Sequence, residues 1–159
     1  MKTLVPMTGI QLALRASLAA GLSLAIAQFL KLQFPIYALI AAIIVTDLDP
    51  AQSVVLGWRR LVATVIGAVC GAVLSMVLPP ASWAIGISIL VAMLLCHLIR
   101  TPEVVRVAGY TSALVAFSYG VEPWHYAFYR LIETGLGICV AWSISYVPKL
   151  IQAETKDQP

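Results

Sequence analysis

Two segments of the chain repeat one pattern of residue types at one spacing. Arg60-Leu61-Val62-Ala63-Thr64-Val65-Ile66-Gly67 and Arg130-Leu131-Ile132-Glu133-Thr134-Gly135-Leu136-Gly137 share arginine, leucine, threonine and glycine in register. On a helix, Arg60, Thr64, Gly67 and Gly71 fall on one face, and Arg130, Thr134, Gly137 and Ala141 make the matching face. A guanidinium is a planar, permanently charged donor whose fork fits a carboxylate. Arg60 and Arg130 are therefore candidate contacts for an organic anion, with the Thr64 and Thr134 hydroxyls beside them and Arg15 as a further candidate. Gly67, Gly71, Gly137 and Ala141 have the small-xxx-small spacing that lets helices approach closely, within or between protomers. For Arg59, Arg100 and Arg106 a place at a helix end, with the charge snorkelling to the interface, is sufficient.

Glu133 is the acidic residue set deepest in an apolar stretch. Two roles stay open for it: a proton relay, as in many pumps, or the i,i+3 counter-ion of Arg130. The corresponding position of the first segment is Ala63. Asp47, Asp49 and Glu122 lie where apolar runs end, as caps or solvated loop charges. No catalytic constellation emerges: His97 and His125 are far apart, no base accompanies a serine or threonine, and there is no phosphate loop. Cys70, Cys96 and Cys139 sit in apolar runs without metal or disulfide spacing and read as small packing residues. The chain is not expected to be an enzyme, and no metal or other cofactor is expected.

These side chains must be positioned by apolar elements. The chain is 61% apolar and 11% charged, against about 45–50% and about 25% in a soluble domain. A soluble fold could not cover itself with so few polar groups, whereas lipid removes the problem. The basic residues are scattered, with no stripe that would suit nucleic acid. Six apolar runs follow one another: about 10–30, 35–46, 61–78, 83–99, 107–120 and 127–147. Lipid forbids open strands, so all are expected to be helices. Ala25-Ile26-Ala27 resembles a signal-peptidase site, but Arg15 lies late for a leader. The reading is an all-α polytopic protein, with a six-helix transmembrane domain over 1–148 and a polar tail over 149–159. Lys2, Arg59, Arg60, Arg100, Arg106, Lys149 and Lys156 fall on one side and only Lys31 and Arg130 on the other. The positive-inside rule then puts both termini in the cytoplasm.

The echo between the two arginine segments extends upstream. With a gap of three residues, Tyr37 matches Tyr110 and Asp49-Pro50 matches Glu122-Pro123. A repeat of three spans must enter the membrane from opposite sides on its two occurrences, which predicts an inverted 3+3 arrangement. The second and fifth runs are short, about 18 Å of helix each, against a hydrocarbon core of roughly 30 Å. Short helices in corresponding positions of two halves point to a transport site.

An apolar segment after Pro35-Ile36-Tyr37, an acidic-proline break, then Arg60-Leu61-x-x-Thr64-x-x-Gly67 resembles the fusaric acid resistance, or aromatic acid exporter, family. Arg130-Leu131-x-Glu133-Thr134-x-x-Gly137 is similar to that family's sixth-helix motif. The resemblance implies a six-helix membrane unit of a bacterial inner membrane that exports aromatic or other organic acids. Plant aluminium-activated malate channels look distantly related and pair such units around an anion pathway. By that resemblance Arg60, Thr64 and Gly67 match the third-helix motif, and Arg130, Glu133 and Gly137 the sixth. Two features depart from it. These residues include neither the second membrane half nor the cytoplasmic helical domain of many members, which bears on partners and regulation. Tyr37 stands where tryptophan is common.

The expected function is a transporter or channel unit for small organic anions, working in the lipid bilayer as a homodimer. Its rival is a membrane scaffold with a transporter-like fold and no transport. Arginines and Glu133 lining a polar interior favour the first, and arginines turned outward into headgroups favour the second.

Overall fold

The structure is a computed structural model that describes residues 7–98, 104–118 and 122–147. Those residues form six α-helices and no strand: α1 (Met7–Phe29), α2 (Ile36–Val45), α3 (Pro50–Val77), α4 (Ser82–Leu98), α5 (Val105–Phe117) and α6 (Pro123–Ser145). Helices α1, α3 and α6 are long and apolar enough to cross a membrane, and α2, α4 and α5 are shorter apolar helices. At 1.5 Å per residue, α3 is about 42 Å long and α2 about 15 Å. The polar tail from 149, and with it Lys2, Arg100, Lys149 and Lys156, lies outside the described residues.

Residue size is distributed for a lipid solvent. Ala38, Ala41, Ala42, Ala63, Ala68 and Ala72 are fully buried, while Leu14, Leu18, Leu22, Leu90 and Leu94 face outward. Small residues inside and large ones outside is how helices associate where the surroundings are as apolar as leucine. This is a membrane protein built from backbones in close contact.

Helices α3 and α6 make the central pair. Trp142, late in α6, covers Gly57, early in α3. Tyr126 and Ala127, early in α6, pack with Ala68 and Ala72, later in α3. The two helices therefore run antiparallel. Helix α5 packs on α3, α2 on α6, α4 on α5 and α3, and α1 on α2 and α6.

The close approaches recur at a constant offset. A Cβ on Gly67 would lie 2.5 Å from the Ala108 carbonyl oxygen and 2.8 Å from the Thr111 Cβ, both on α5. One on Gly137 would overlap the carbonyl of Ala38 and the Cβ of Ala41 on α2. Gly71 faces Ser112 and Val115 in the same way, and Ala141 clusters with Val45. Each pair is displaced by seventy positions, with no gap. The packing thus sets Ala38 against Ala108, which replaces the gapped alignment of Tyr37 with Tyr110. These seams lie within the chain.

Helix α3 begins well before its expected start near Leu61. The Asp49 side chain accepts a hydrogen bond from the Ala51 amide at 3.0 Å, and Pro50 follows as the first helical residue. That is a strong N-terminal signal, since a side-chain cap satisfies an orphan donor and proline lacks the amide that would need one. Arg59 and Arg60 are consequently interior helix residues and not loop charges. Asp49 opens α3, where it was expected to close the run before it. Glu122 is exposed beside His125, 3.7 Å away.

Candidate functional site

The seventy-residue offset carries the two arginines to the middle of the bundle. Arg60 is 3% exposed, Arg130 2% and Glu133 not at all. Thr64 and Thr134 are buried on the same faces, each 1% exposed. The Thr64 hydroxyl donates back to the Arg60 carbonyl at 2.8 Å, so its proton is held by its own helix.

Aromatic rings lie against both guanidinium groups. The Arg130 Cζ is 3.3 Å from the centroid of the Tyr37 ring and 5.8 Å from that of Tyr110. The Arg60 Cζ is 5.4 Å from the Tyr110 centroid, so one ring is shared between the arginines. The negative face of an aromatic ring attracts a cation, and more strongly where water is excluded. The rings leave hydrogen-bonding capacity unused. Nε and Nη1 of Arg60, Nε and Nη1 of Arg130, Tyr110 Oη, Thr111 Oγ1 and Glu133 Oε2 are buried without a hydrogen-bond partner in the protein. An unsatisfied buried polar group costs about 1–3 kcal/mol, more when charged, so such a concentration calls for a ligand.

Glu133 is held by backbone. Its Oε1 accepts the Phe34 amide at 2.7 Å. Phe34 lies two residues before the first residue of α2, so the carboxylate sits at the positive end of that helix. One carboxylate oxygen of Glu133 is thus taken by the amide, and both expected roles, proton relay and counter-ion of Arg130, stay open. Around this joint the Phe34 and Tyr126 rings are 4.9 Å apart, and the Tyr37 and Tyr126 hydroxyls hydrogen-bond at 2.7 Å. Tryptophan at position 37 would offer a larger π face to Arg130 but no hydroxyl for Tyr126.

Arg15 is not brought to this cluster. Its Nη1 donates to the Leu48 carbonyl at 3.1 Å and its Nη2 to the Val147 carbonyl at 2.8 Å. Leu48 follows the end of α2 and Phe34 precedes its start, so Arg15 and Glu133 are separated by the length of that helix. Gly67, Gly71, Gly137 and Ala141 serve as contact points between helices and bring no polar atom to the site.

Tyr37, Tyr110, Tyr126 and the Phe34 amide complete the cluster and were not expected in it. The pairing of Tyr37 with Tyr110 in the upstream echo was the available signal, because both tyrosines face Arg130.

Two buried guanidiniums with unused donors lie beside tyrosine rings within a membrane protein, and Arg130 is one helical turn from the Glu133 carboxylate. The profile of the family described as fusaric acid resistance protein-like matches residues 22–144. The chain belongs to that family. No curated protein and no solved structure matches it.

Proposed function

We propose that this chain is a six-span transport unit, two inverted three-helix repeats, that carries small organic acid anions out across the membrane. The observation that carries the reading is the set of buried guanidinium donors on Arg60 and Arg130 that no protein acceptor satisfies. A carboxylate between them would take up those donors, and a fixed positive charge lowers the cost of moving an anion through low dielectric. The Tyr37, Tyr110 and Tyr126 rings suit an aromatic body on that carboxylate, since offset or edge-to-face ring contacts add to apolar burial. Glu133 is the proton-coupling group of this scheme. The antiparallel course of α3 and α6 and the seventy-residue recurrence of the contacts support the inverted repeat. Lys2, Arg100, Lys149 and Lys156 support cytoplasmic termini, while Arg59, Arg60 and Arg106, being helical, no longer count toward it. The arginines turn into the bundle and not outward to headgroups, which favours transport over a scaffold. Assembly is as a homodimer, through a face other than the internal glycine seams.

The test is uptake of a panel of aromatic and aliphatic acids by proteoliposomes carrying the purified protein. Flux of a monocarboxylic aromatic acid above that of empty vesicles supports the reading. A folded protein that moves none of the panel supports the scaffold.

A further inference from the structure

The two ends of the bundle are built alike and differ in one residue's reach. On α4 the buried positions are Ala84, Ser88, Ala92 and Cys96, in steps of four. On α1 the buried series Arg15, Ala19, Ser23 and Ala27 has the same steps. The helices meet corresponding partners: Ser88 hydrogen-bonds Ser112 of α5, and Ala19 packs with Ala42 of α2. Ser112 and Ala42 differ by the same seventy positions as the glycine contacts. Arg15 therefore stands where Ala84 stands.

What surrounds the two positions is opposite. Ala84 lines a cavity of about 220 Å³ between the ends of α3, α4 and α5, with Ser75, Val115 and Ser118 also in its wall. At the corresponding place, Ser145 matches Ser75, Val45 matches Val115 and Leu48 matches Ser118. There Val45 is fully buried and Ser145 is 2% exposed. The Ser145 hydroxyl is hydrogen-bonded to that of Ser53 at 2.8 Å, and Ser53 also accepts the Asp47 amide at 2.8 Å. Arg15 fills what remains, bridging the Leu48 and Val147 carbonyls across the ends of α2 and α6. The bridge is made to backbone carbonyls, and the Arg15 Nε has no partner.

We infer that the bundle holds one joint in two states, open beside Ala84 and shut beside Arg15, and that Arg15 is the latch of the shut end. Release of Arg15 from the two carbonyls opens a second cavity there, while the cavity beside Ala84 closes. The inference rests on the transport reading, since a scaffold has no need of two states. It also explains why the cavity wall contains neither Arg60 nor Arg130: the anion site is reached as the joints exchange states.

The experiment reads access directly, so that it does not depend on knowing the substrate. With Cys70, Cys96 and Cys139 replaced by alanine, single cysteines at Ser75 and Ser145 are treated, in membranes, with a water-soluble thiol reagent, with and without Arg15→Gln. The expected result is that Ser75→Cys reacts and Ser145→Cys is protected in the parent. With Arg15→Gln, Ser145→Cys labels several-fold faster and Ser75→Cys more slowly. Unchanged protection of Ser145→Cys in a folded Arg15→Gln protein overturns the latch. A second variant guards against misfolding. In Ser53→Cys with Ser145→Cys a disulfide would lock the shut end, and flux should stop and return on reduction. Full flux through the oxidised protein overturns the inference. If the parent carries no flux at all while the labelling exchange occurs, the transport reading fails and the two-state joint stands.

Discussion

The start of α2 and the start of α5 occupy matching places against α6 and α3, yet their chemistry is opposite. At the first, the Phe34 amide donates to the buried Glu133 carboxylate at 2.7 Å. At the second, the corresponding residues Val104 and Ala63 belong to one buried apolar cluster. Each joint lies one turn beyond an arginine, Arg130 in the first and Arg60 in the second. A carboxylate that served only to neutralise its arginine would be wanted at both. The two joints thus share their close helix contacts and differ in charge, with Glu133 in one standing where Ala63 stands in the other. Arg130 reflects the same asymmetry, lying 3.3 Å from the Tyr37 centroid where Arg60 lies 5.4 Å from that of Tyr110.

The comparison is tested most forcefully at the arginines. Arg130→Gln and Arg60→Gln should each lower anion flux by about tenfold or more, because a hydrogen bond to a charged group contributes about 1.5–3 kcal/mol and 1.4 kcal/mol is a factor of ten. Removing a buried charge that has ring contacts but no hydrogen-bond acceptor for its Nε and Nη1 should leave the yield of folded protein little changed. Flux measured in proteoliposomes at equal protein content checks this. Unaltered flux in both variants removes the pair from the site.

Glu133→Gln addresses the asymmetry itself. Glutamine keeps an oxygen to accept the Phe34 amide but takes up no proton. The variant should fold and exchange substrate passively while losing its response to an imposed pH gradient. Flux with and without the gradient decides the matter, and a variant that remains fully pH-driven reduces Glu133 to a structural acceptor.

Much of this frame was legible in the residues. Apolar runs gave the six helices, and the shared arginine, threonine and glycine positions gave the correspondence between α3 and α6. Glu133 stood out as a carboxylate in an apolar stretch. The early turns of α3 were not legible, because Gln52, Ser53, Arg59 and Arg60 lower the local hydropathy as a loop would. Polar side chains turned into a bundle and polar side chains in a loop look alike to an average over neighbours. The cap at Asp49-Pro50 was the better guide. The tyrosine cage was hidden for a different reason: Tyr37, Tyr110 and Tyr126 come from three helices, and only packing brings them together. Arg15 was grouped with the other arginines because its charge was visible and its carbonyl partners, thirty-three and more residues away, were not.

The packing half of the comparison is equally exposed to test. Gly67→Ala and Gly137→Ala should each destabilise, since the new methyl meets backbone carbonyl and a neighbouring Cβ and not a flexible side-chain end. Overpacking of this kind costs about 1–3 kcal/mol. Gly86→Ala, with nothing near its Cβ position, should instead hold or gain up to about 1 kcal/mol from the helix preference for alanine. Thermal unfolding in detergent compares the three. Equal effects at Gly67 and Gly137 would tie the two seams to one architecture, and a harmless Gly137→Ala would break the correspondence.

The smallest effect separates the two tyrosines whose rings face Arg130. The Tyr37 hydroxyl is hydrogen-bonded to that of Tyr126 at 2.7 Å, whereas the buried Tyr110 hydroxyl makes no hydrogen bond of normal geometry and interacts with the Arg60 guanidinium. Removing one member of a buried pair costs the bond and leaves the other group unsatisfied, so Tyr37→Phe should lower stability by about 1 kcal/mol. Removing a hydroxyl that makes no hydrogen bond of normal geometry relieves a desolvation penalty, so Tyr110→Phe should be neutral or slightly stabilising. Function should run the other way. Such a hydroxyl beside the guanidiniums is a donor to a bound carboxylate, and its loss should weaken substrate affinity several-fold while maximal flux changes less. Tyr37→Phe keeps the ring that faces Arg130 and should leave affinity nearly intact. Melting temperature and substrate-concentration dependence of flux, measured on both variants, give the opposite ordering if Tyr110 touches the anion. If Tyr110→Phe binds substrate as tightly as the parent, that ring is only a partition between the arginines, and the anion is held by Arg60 and Arg130 without it.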